Sequence, residues 1–203
     1  KIAVSKDFLT ISKKKKWITN KPSRKIVHLL RSRYDSILST SKSINEDDSL
    51  LNCRIEGLNN YRPDLFIIDL KLKLKKNLSL NNLIKRRKTY LITSKENYFK
   101  TATYKKLGFK ILIIDKLTNK NDFILLYKKI YKIGYSRLLI ESGLTFLNSL
   151  LRNKIIHELY IFKSKKRLGN IGRNNDTTNY LKKISSKLTK LDLNGDSLLK
   201  KEF

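Results

Sequence analysis

Arg137-Leu138-Leu139-Ile140-Glu141-Ser142-Gly143-Leu144-Thr145-Phe146-Leu147-Asn148-Ser149-Leu150-Leu151-Arg152 decides the fold. Residues 137–141 read as an apolar strand that ends in a carboxylate, and residues 144–152 as a helix. Only Ser142 and Gly143 separate them. A strand passing directly into a helix is the building unit of α/β architecture. The junction between strand end and helix start is where open α/β sheets place ligands. The N–H groups of a helix opening at Gly143 suit an anion such as phosphate, and glycine lets backbone approach closely. Taken alone, Glu141-Ser142-Gly143 is equally an ordinary helix cap.

The same alternation extends in both directions. Upstream, residues 2–5 read as the first strand. Residues 23–34 follow as a helix with Ile26, Val27, Leu29 and Leu30 on one apolar face and basic residues opposite. Pro22 stands just before it, where a missing N–H costs little. Residues 36–39, 64–70 (opened by Pro63), 89–93 and 109–115 are strand candidates. Residues 97–107 and 123–133 are helices, stopped by Gly108 and Gly134. Downstream, residues 158–162 form another strand. Residues 188–193 and 197–203 flank Asn194-Gly195-Asp196, a hairpin signal. Residues 12–16 and 169–178 read as surface loops. The expectation is an α/β fold: a mostly parallel central sheet with flanking helices and a C-terminal antiparallel hairpin.

The 203 residues suit one domain, and 40% hydrophobic content is enough for a core. The net charge of +29, from 46 Lys and Arg against 17 Asp and Glu, taken alone is the footprint of a nucleic-acid binder. Lysine fills every segment, however, so compositional drift is the preferred account and nucleic acid is not the expected partner. A single cysteine, Cys53, excludes a disulfide within the chain and argues against a cysteine-based zinc site. A reducing cytoplasm fits. No apolar run approaches the roughly 20 residues of a membrane span. The chain contains no methionine, so a fragment cut at a domain boundary is expected.

Common catalytic motifs are missing: no G-x-G-x-x-G after a strand, no phosphate loop, no G-x-S-x-G elbow. His28 and His157 have no metal-ligand spacing and read as partly buried structural residues. No catalytic residue and no metal ligand is assigned. What remains is a set of polar residues at strand ends: Trp17-Ile18-Thr19, Ser43, Asp47-Asp48, Arg54 and Glu141.

These segments together resemble one family. The opening Lys1-Ile2-Ala3-Val4-Ser5-Lys6-Asp7 stands against a family start of K-x-A-x-S-x-D-G-(K/R). Trp17-Ile18-Thr19, the helix from Arg24 to Arg33, Asp35-Ser36-Ile37-Leu38, Ser43, Asp47-Asp48, Leu51 and Arg54 follow in matching register. Glu141-Ser142-Gly143, Glu158-Leu159-Tyr160 and Leu168-Gly169 complete the set. The chain so resembles the reductase domain of the bifunctional riboflavin-biosynthesis deaminase/reductase, a dihydrofolate-reductase-like fold. The resemblance covers essentially the whole chain, read as one domain over 1–203, with any deaminase domain upstream.

The resemblance implies a homodimeric, NADPH-dependent reductase of a phosphorylated pyrimidine, 5-amino-6-(5-phosphoribosylamino)uracil. Hydride would pass to C1′ of the substrate sugar in its ring-opened imine form, giving a ribitylamine. It places Ala3, Trp17, Ser43, Asp47 and Leu70 at the cofactor, together with Gly143, Leu144, Thr145, Phe146, Leu147, Asn148 and Ser149. It places Lys15, Arg31, Leu51, Arg54 and Glu141 at the substrate, where arginine can fork onto phosphate. Lys1 falls near the ribose. Five positions depart from the family text. Phe8-Leu9 replaces Gly-Lys/Arg, Lys15 replaces a serine, Ser142 replaces the first glycine of E-G-G, and Leu70 replaces a serine, leaving Lys71 or Lys73 for the 2′-phosphate. The rival readings are a basic nucleic-acid-binding domain and a pyrimidinone reductase acting before deamination.

Overall fold

The computed structural model describes residues 1–14, 17–58 and 61–203. In chain order the elements are β1 (Ile2–Val4), β2 (Ile11–Ser12), α1 (Lys21–Ser32), β3 (Ser36–Thr40), α2 (Ser41–Asp47), β4 (Asp64–Ile68), β5 (Thr89–Thr93), α3 (Ala102–Lys106), β6 (Lys110–Ile113), α4 (Lys120–Lys132), β7 (Leu138–Ile140), α5 (Leu144–Arg152), β8 (Glu158–Lys163), β9 (Gly172–Arg173), α6 (Asn179–Ser185), β10 (Lys190–Leu193) and β11 (Asp196–Glu202). The chain divides into two compact units: residues 28–141, and residues 1–27 with 142–203.

The unit of residues 28–141 is built on a five-stranded sheet in the order β6-β5-β4-β3-β7, parallel throughout. Its central strands are continuous apolar runs because both faces are covered: Ile37, Leu38, Leu65, Phe66, Ile67, Leu91 and Ile92 are fully buried. Phe66 stacks on Tyr90 with centroids 4.5 Å apart, and Tyr135 meets both edge-on while donating to Asp64 Oδ2 at 2.6 Å. Gly134 (φ +100°) ends α4, which is opened by a capping box of Asn119 and Asp122.

The other unit carries the sheet β1-β8-β11-β10, in which β1 runs parallel to β8 and the rest is antiparallel. Asn194 and Gly195, at φ +56° and +89°, make the two-residue turn joining β10 to β11, the conformation that an Asn-Gly hairpin favours. Helix α5 buries Leu144, Leu147 and Leu151 against Ile2, Val4, Leu159, Ile161 and Leu199. Such a buried leucine contributes roughly 1.5–3 kcal/mol by leaving water.

Three expectations need correction. Leu29 lies 38% exposed on α1, while Arg31, read as part of the basic outer face, is buried. Tertiary pairing overrides the helical stripe there. Residues 169–178 are not all loop, because Gly172–Arg173 pairs antiparallel with Ile11–Ser12. The helix expected over 97–107 is a 3-10 segment, Lys95–Thr101, running into the short α3. Helices α2 and α6 have too few apolar positions for their period to show in sequence. Among the described residues no helix is long and apolar enough to cross a membrane.

Candidate active site

Three neighbouring parallel strands, β4, β3 and β7, release their chains at one edge of the sheet in the unit of residues 28–141. That carboxyl edge is the usual ligand side of an open α/β sheet. Leu70 follows β4, Ser43 and Asp47 lie on α2 directly after β3, and Glu141 follows β7.

Glu141 is fixed by its own N–H, which donates to Leu38 O at 2.9 Å. Its carboxylate takes Arg31 of α1 two-pronged: Nε to Oε1 at 2.6 Å and Nη2 to Oε2 at 3.0 Å. Both side chains are almost wholly buried. Arg31 Nη1 donates to Asn52 O at 3.0 Å. The carboxylate beside it holds the guanidinium charged, against the burial that opposes it. With Nε, Nη1 and Nη2 so engaged, Arg31 has little left to offer a ligand. Arg54, exposed and bonded through Nη1 to Asn52 Oδ1 at 2.8 Å, keeps more of its donors.

Residues 50–54 have no helix or strand of their own. Leu51 is buried at φ +48°, in the left-handed region that a leucine rarely enters. Side chains hold the segment instead. Buried Arg87 donates Nη2 to Leu50 O and Nη1 to Leu51 O, both at 2.7 Å. Burial, and then repulsion from Arg31, brings its pKa down to about 10, so it stays charged at neutral pH. His28 Nδ1 lies 3.2 Å from the Arg54 N–H. Burial, then the nearby Arg31 and Arg54, lowers the His28 pKa to about 4.

A second set of bonds joins α2 to the turn after β4. Buried Asp69 accepts from Ser41 Oγ at 2.9 Å, from Lys73 N at 2.9 Å and from Leu74 N at 2.7 Å. Asn45 donates to Lys73 O at 2.8 Å and accepts from Lys75 N at 2.9 Å. Ser43 and Asp47 are thereby tied to the segment carrying Leu70 and the exposed Lys71 and Lys73. Thr40 caps α2 by accepting from Ser43 N at 3.3 Å.

The unit of residues 1–27 and 142–203 holds the remaining expected positions. Ala3 lies in β1, paired with Phe162. Trp17 is 52% exposed, with the Arg24 guanidinium 5.0 Å from its ring centre. Helix α5 opens at Gly143 without a side-chain cap. Leu144 and Leu147 commit their side chains to the core, so a ligand there would meet backbone and the exposed Thr145. Phe146 and Ser149 are half-buried, and Asn148 donates to Thr177 O at 2.7 Å. Lys15 lies outside the described residues.

Among the substrate positions, Arg31, Leu51, Arg54 and Glu141 are brought into one network. Sequence reasoning missed two members of it. His28 reads from the sequence as a partly buried structural residue, and its place one turn before Arg31 on the helix is the signal that ties it to the network. Arg87 carries no signal at all, since nothing in a lysine- and arginine-rich chain marks which cation turns inward. His157 is exposed and accepts through its carbonyl from Phe203 N at 3.0 Å.

Comparisons with known proteins agree with this architecture. A family model described as the RibD C-terminal domain matches residues 7–195. The riboflavin biosynthesis protein RibD of Aquifex aeolicus is 29% identical over 160 residues, 79% of this chain and 43% of its own length. The chain thus spans less than half of that relative. The 5-amino-6-(5-phosphoribosylamino)uracil reductase of Buchnera aphidicola subsp. Acyrthosiphon pisum is 33% identical over 171 residues, covering 76% of this chain and 77% of that one. In structure, Acinetobacter baumannii RibD superposes with a TM-score of 0.76 at 21% identity, over 98% of this chain and 55% of that one. The riboflavin biosynthesis reductase Rib7 of Saccharomyces cerevisiae gives 0.73 at 21% identity, over 99% and 86%. These structures show the fold, the α/β, dihydrofolate-reductase-like architecture expected from the sequence. On the family match and the one-third identity to the Buchnera reductase, the chain belongs to the RibD C-terminal domain family.

Proposed function

We propose that this chain reduces 5-amino-6-(5-phosphoribosylamino)uracil with NADPH, converting the ribosylamine to a ribitylamine. The observation that carries this reading is the placement of Leu70, Ser43, Asp47 and Glu141 at the carboxyl edge of three adjacent parallel strands, with Arg31 and Arg54 beside Glu141. A nicotinamide cofactor fits this family, and the residues present are compatible with it. The turn after β4 offers exposed Lys71 and Lys73 for a 2′-phosphate.

Bound NADPH would supply the hydride. The residues of the chain bind and orient. Arg54 meets the ribose phosphate with its spare donors. Arg31, neutralised by Glu141, builds the wall that carries Asn52 and the residues after it. The Glu141 carboxylate, its charge balanced, accepts from sugar hydroxyls rather than acting as an acid. Ser43 and Asp47 hold the cofactor.

The test is turnover of the purified chain with 5-amino-6-(5-phosphoribosylamino)uracil and NADPH, with NADH and the aminated precursor pyrimidine alongside. Ribitylamine formation that prefers NADPH and the deaminated substrate supports the reading. Preference for the aminated pyrimidine would move the enzyme before deamination. Absence of both activities from folded chain overturns the reading.

A further inference from the structure

His28 has three polar neighbours around a single ring nitrogen. Nδ1 lies 3.2 Å from the Arg54 N–H, 3.4 Å from Arg31 Nη1 and 3.1 Å from Asn52 O. Asn52 O already accepts from Arg31 Nη1 at 3.0 Å. Two of the three neighbours are donors that cannot accept, and Asn52 O is already supplied by Arg31. This balance favours an Nδ1 lone pair facing the two donors, with the ring proton on Nε2, over an Nδ1–H donating to Asn52 O. A proton on Nδ1 would set N–H against N–H on a side that also faces the Arg31 and Arg54 cations, with Glu141 the one carboxylate nearby.

The bond matters because of what it holds. Residues 50–54 lack a backbone ladder, so each part is held by a side chain from elsewhere: Arg87 on the Leu50 and Leu51 carbonyls, Arg31 on the Asn52 carbonyl, His28 on the Arg54 amide. Cys53 Sγ adds a weak bond to the His28 carbonyl at 3.4 Å. His28 is thus the grip on the backbone of the most exposed arginine of the network.

We propose that His28 is a positioning residue of the reductase site: its unprotonated Nδ1 fixes the Arg54 backbone and so aims the Arg54 guanidinium at the phosphate of the substrate. This rests on the reading of Arg54 as the phosphate-binding residue. The side chain touches neither the reacting carbon nor the cofactor in this role.

The test uses His28→Asn, His28→Gln and His28→Ala in the full chain. Asn carries an acceptor where Nδ1 stands, and Gln carries one where Nε2 stands. The expected result is that Gln and Ala raise KM for the phosphorylated substrate about tenfold or more, from loss of one hydrogen bond at the site. Asn should restore KM to within about twofold of the wild type, with kcat and NADPH affinity little changed in all three. Inorganic phosphate, as competitor, should lose potency in the same order. Equal KM across the series in an active wild type overturns the role of His28 and leaves the reductase reading standing. An inactive, folded wild type overturns both. Should Gln and Ala fail to fold, long-range proton–nitrogen spectra of the wild-type imidazole decide: an Nε2–H tautomer agrees with the proposal, and an Nδ1–H tautomer overturns it.

Discussion

Arg31 and Glu141 stand 110 residues apart in the chain and meet in a two-pronged buried ion pair, at 2.6 and 3.0 Å. The pair bolts the last turn of α1 to the end of β7. A surface pair of this kind would contribute little, but here neither partner can recover its lost hydration if left alone. Removing Arg31 in Arg31→Ala is therefore expected to cost about 3–5 kcal/mol, with Glu141→Gln milder because an amide can still accept. Replacing both with apolar residues should cost less than Arg31→Ala alone while still abolishing turnover. Urea unfolding and steady-state kinetics on the three proteins check this. A double variant less stable than Arg31→Ala would contradict it.

His28 gives the pH dependence of stability a definite sign. Unfolded, the ring takes a proton near pH 6.5; folded, it does so only near pH 4, because of burial and the Arg31 and Arg54 charges. Between those values the unfolded chain holds the extra proton, so stability is full above pH 6.5 and falls as acid is added. The half-buried ring is partly screened, so the loss is on the order of 1–2 kcal/mol. The carboxylates held low, such as Asp7 at about 2, lose their contribution below pH 3.8 and do not share this window. Unfolding at about pH 7 and pH 5 should show the decline in the wild type and its absence in His28→Asn.

Phe8 stands in the left-handed region, at φ +63°, buried, with its ring under the Lys163 ammonium at 4.1 Å. The resemblance read from the sequence puts glycine there, which enters that region freely. A phenylalanine carries about 1–2 kcal/mol of backbone strain but keeps a core ring whose removal costs about 3–5 kcal/mol. Phe8→Gly should therefore destabilise by about 2 kcal/mol, and Phe8→Ala by more, since alanine loses the ring and keeps the strain. Thermal melting of the two variants ranks them, and alanine equal to or better than glycine would refute the argument.

Trp17 is the only tryptophan and half exposed. Its fluorescence should be quenched saturably by NADPH, and more weakly by NADH. Asp47→Ala should weaken both cofactors together, because the contact proposed for Asp47 lies outside the 2′-phosphate. Lys71→Ala with Lys73→Ala should weaken NADPH by about tenfold and leave NADH unchanged, as expected of exposed cations on a phosphate. Equal losses for both cofactors in the lysine variant would place the 2′-phosphate elsewhere.

Arg87 holds the carbonyls of Leu50 and Leu51 while staying buried. Arg87→Met should keep the volume, leave those carbonyls unpaired and cost about 2–4 kcal/mol. It should also raise KM, because Leu51 loses the support for its left-handed backbone. A stability loss with unchanged KM would separate Leu51 from the substrate.

Elements with a strong period and complete burial were legible in the sequence. Residues 65–68 and 90–92 are continuous apolar runs because a parallel sheet covers both faces, and a two-sided core leaves an unmistakable run. Gly108, Gly134 and Asn194-Gly195 were legible because left-handed backbone selects few residue types. The strand-to-helix step at Glu141-Ser142-Gly143 was readable because it is local. Which charges turn inward is set by long-range pairing. Arg31 sits on the face expected to be solvated, yet it is buried because Glu141 waits at the end of a strand far along the chain. Arg87 and His28 are drawn to residues 50–54 because that segment has no ladder of its own, and a backbone without partners recruits side chains. Local periodicity records apolar burial; a buried charge is set by a distant partner, which no local pattern encodes.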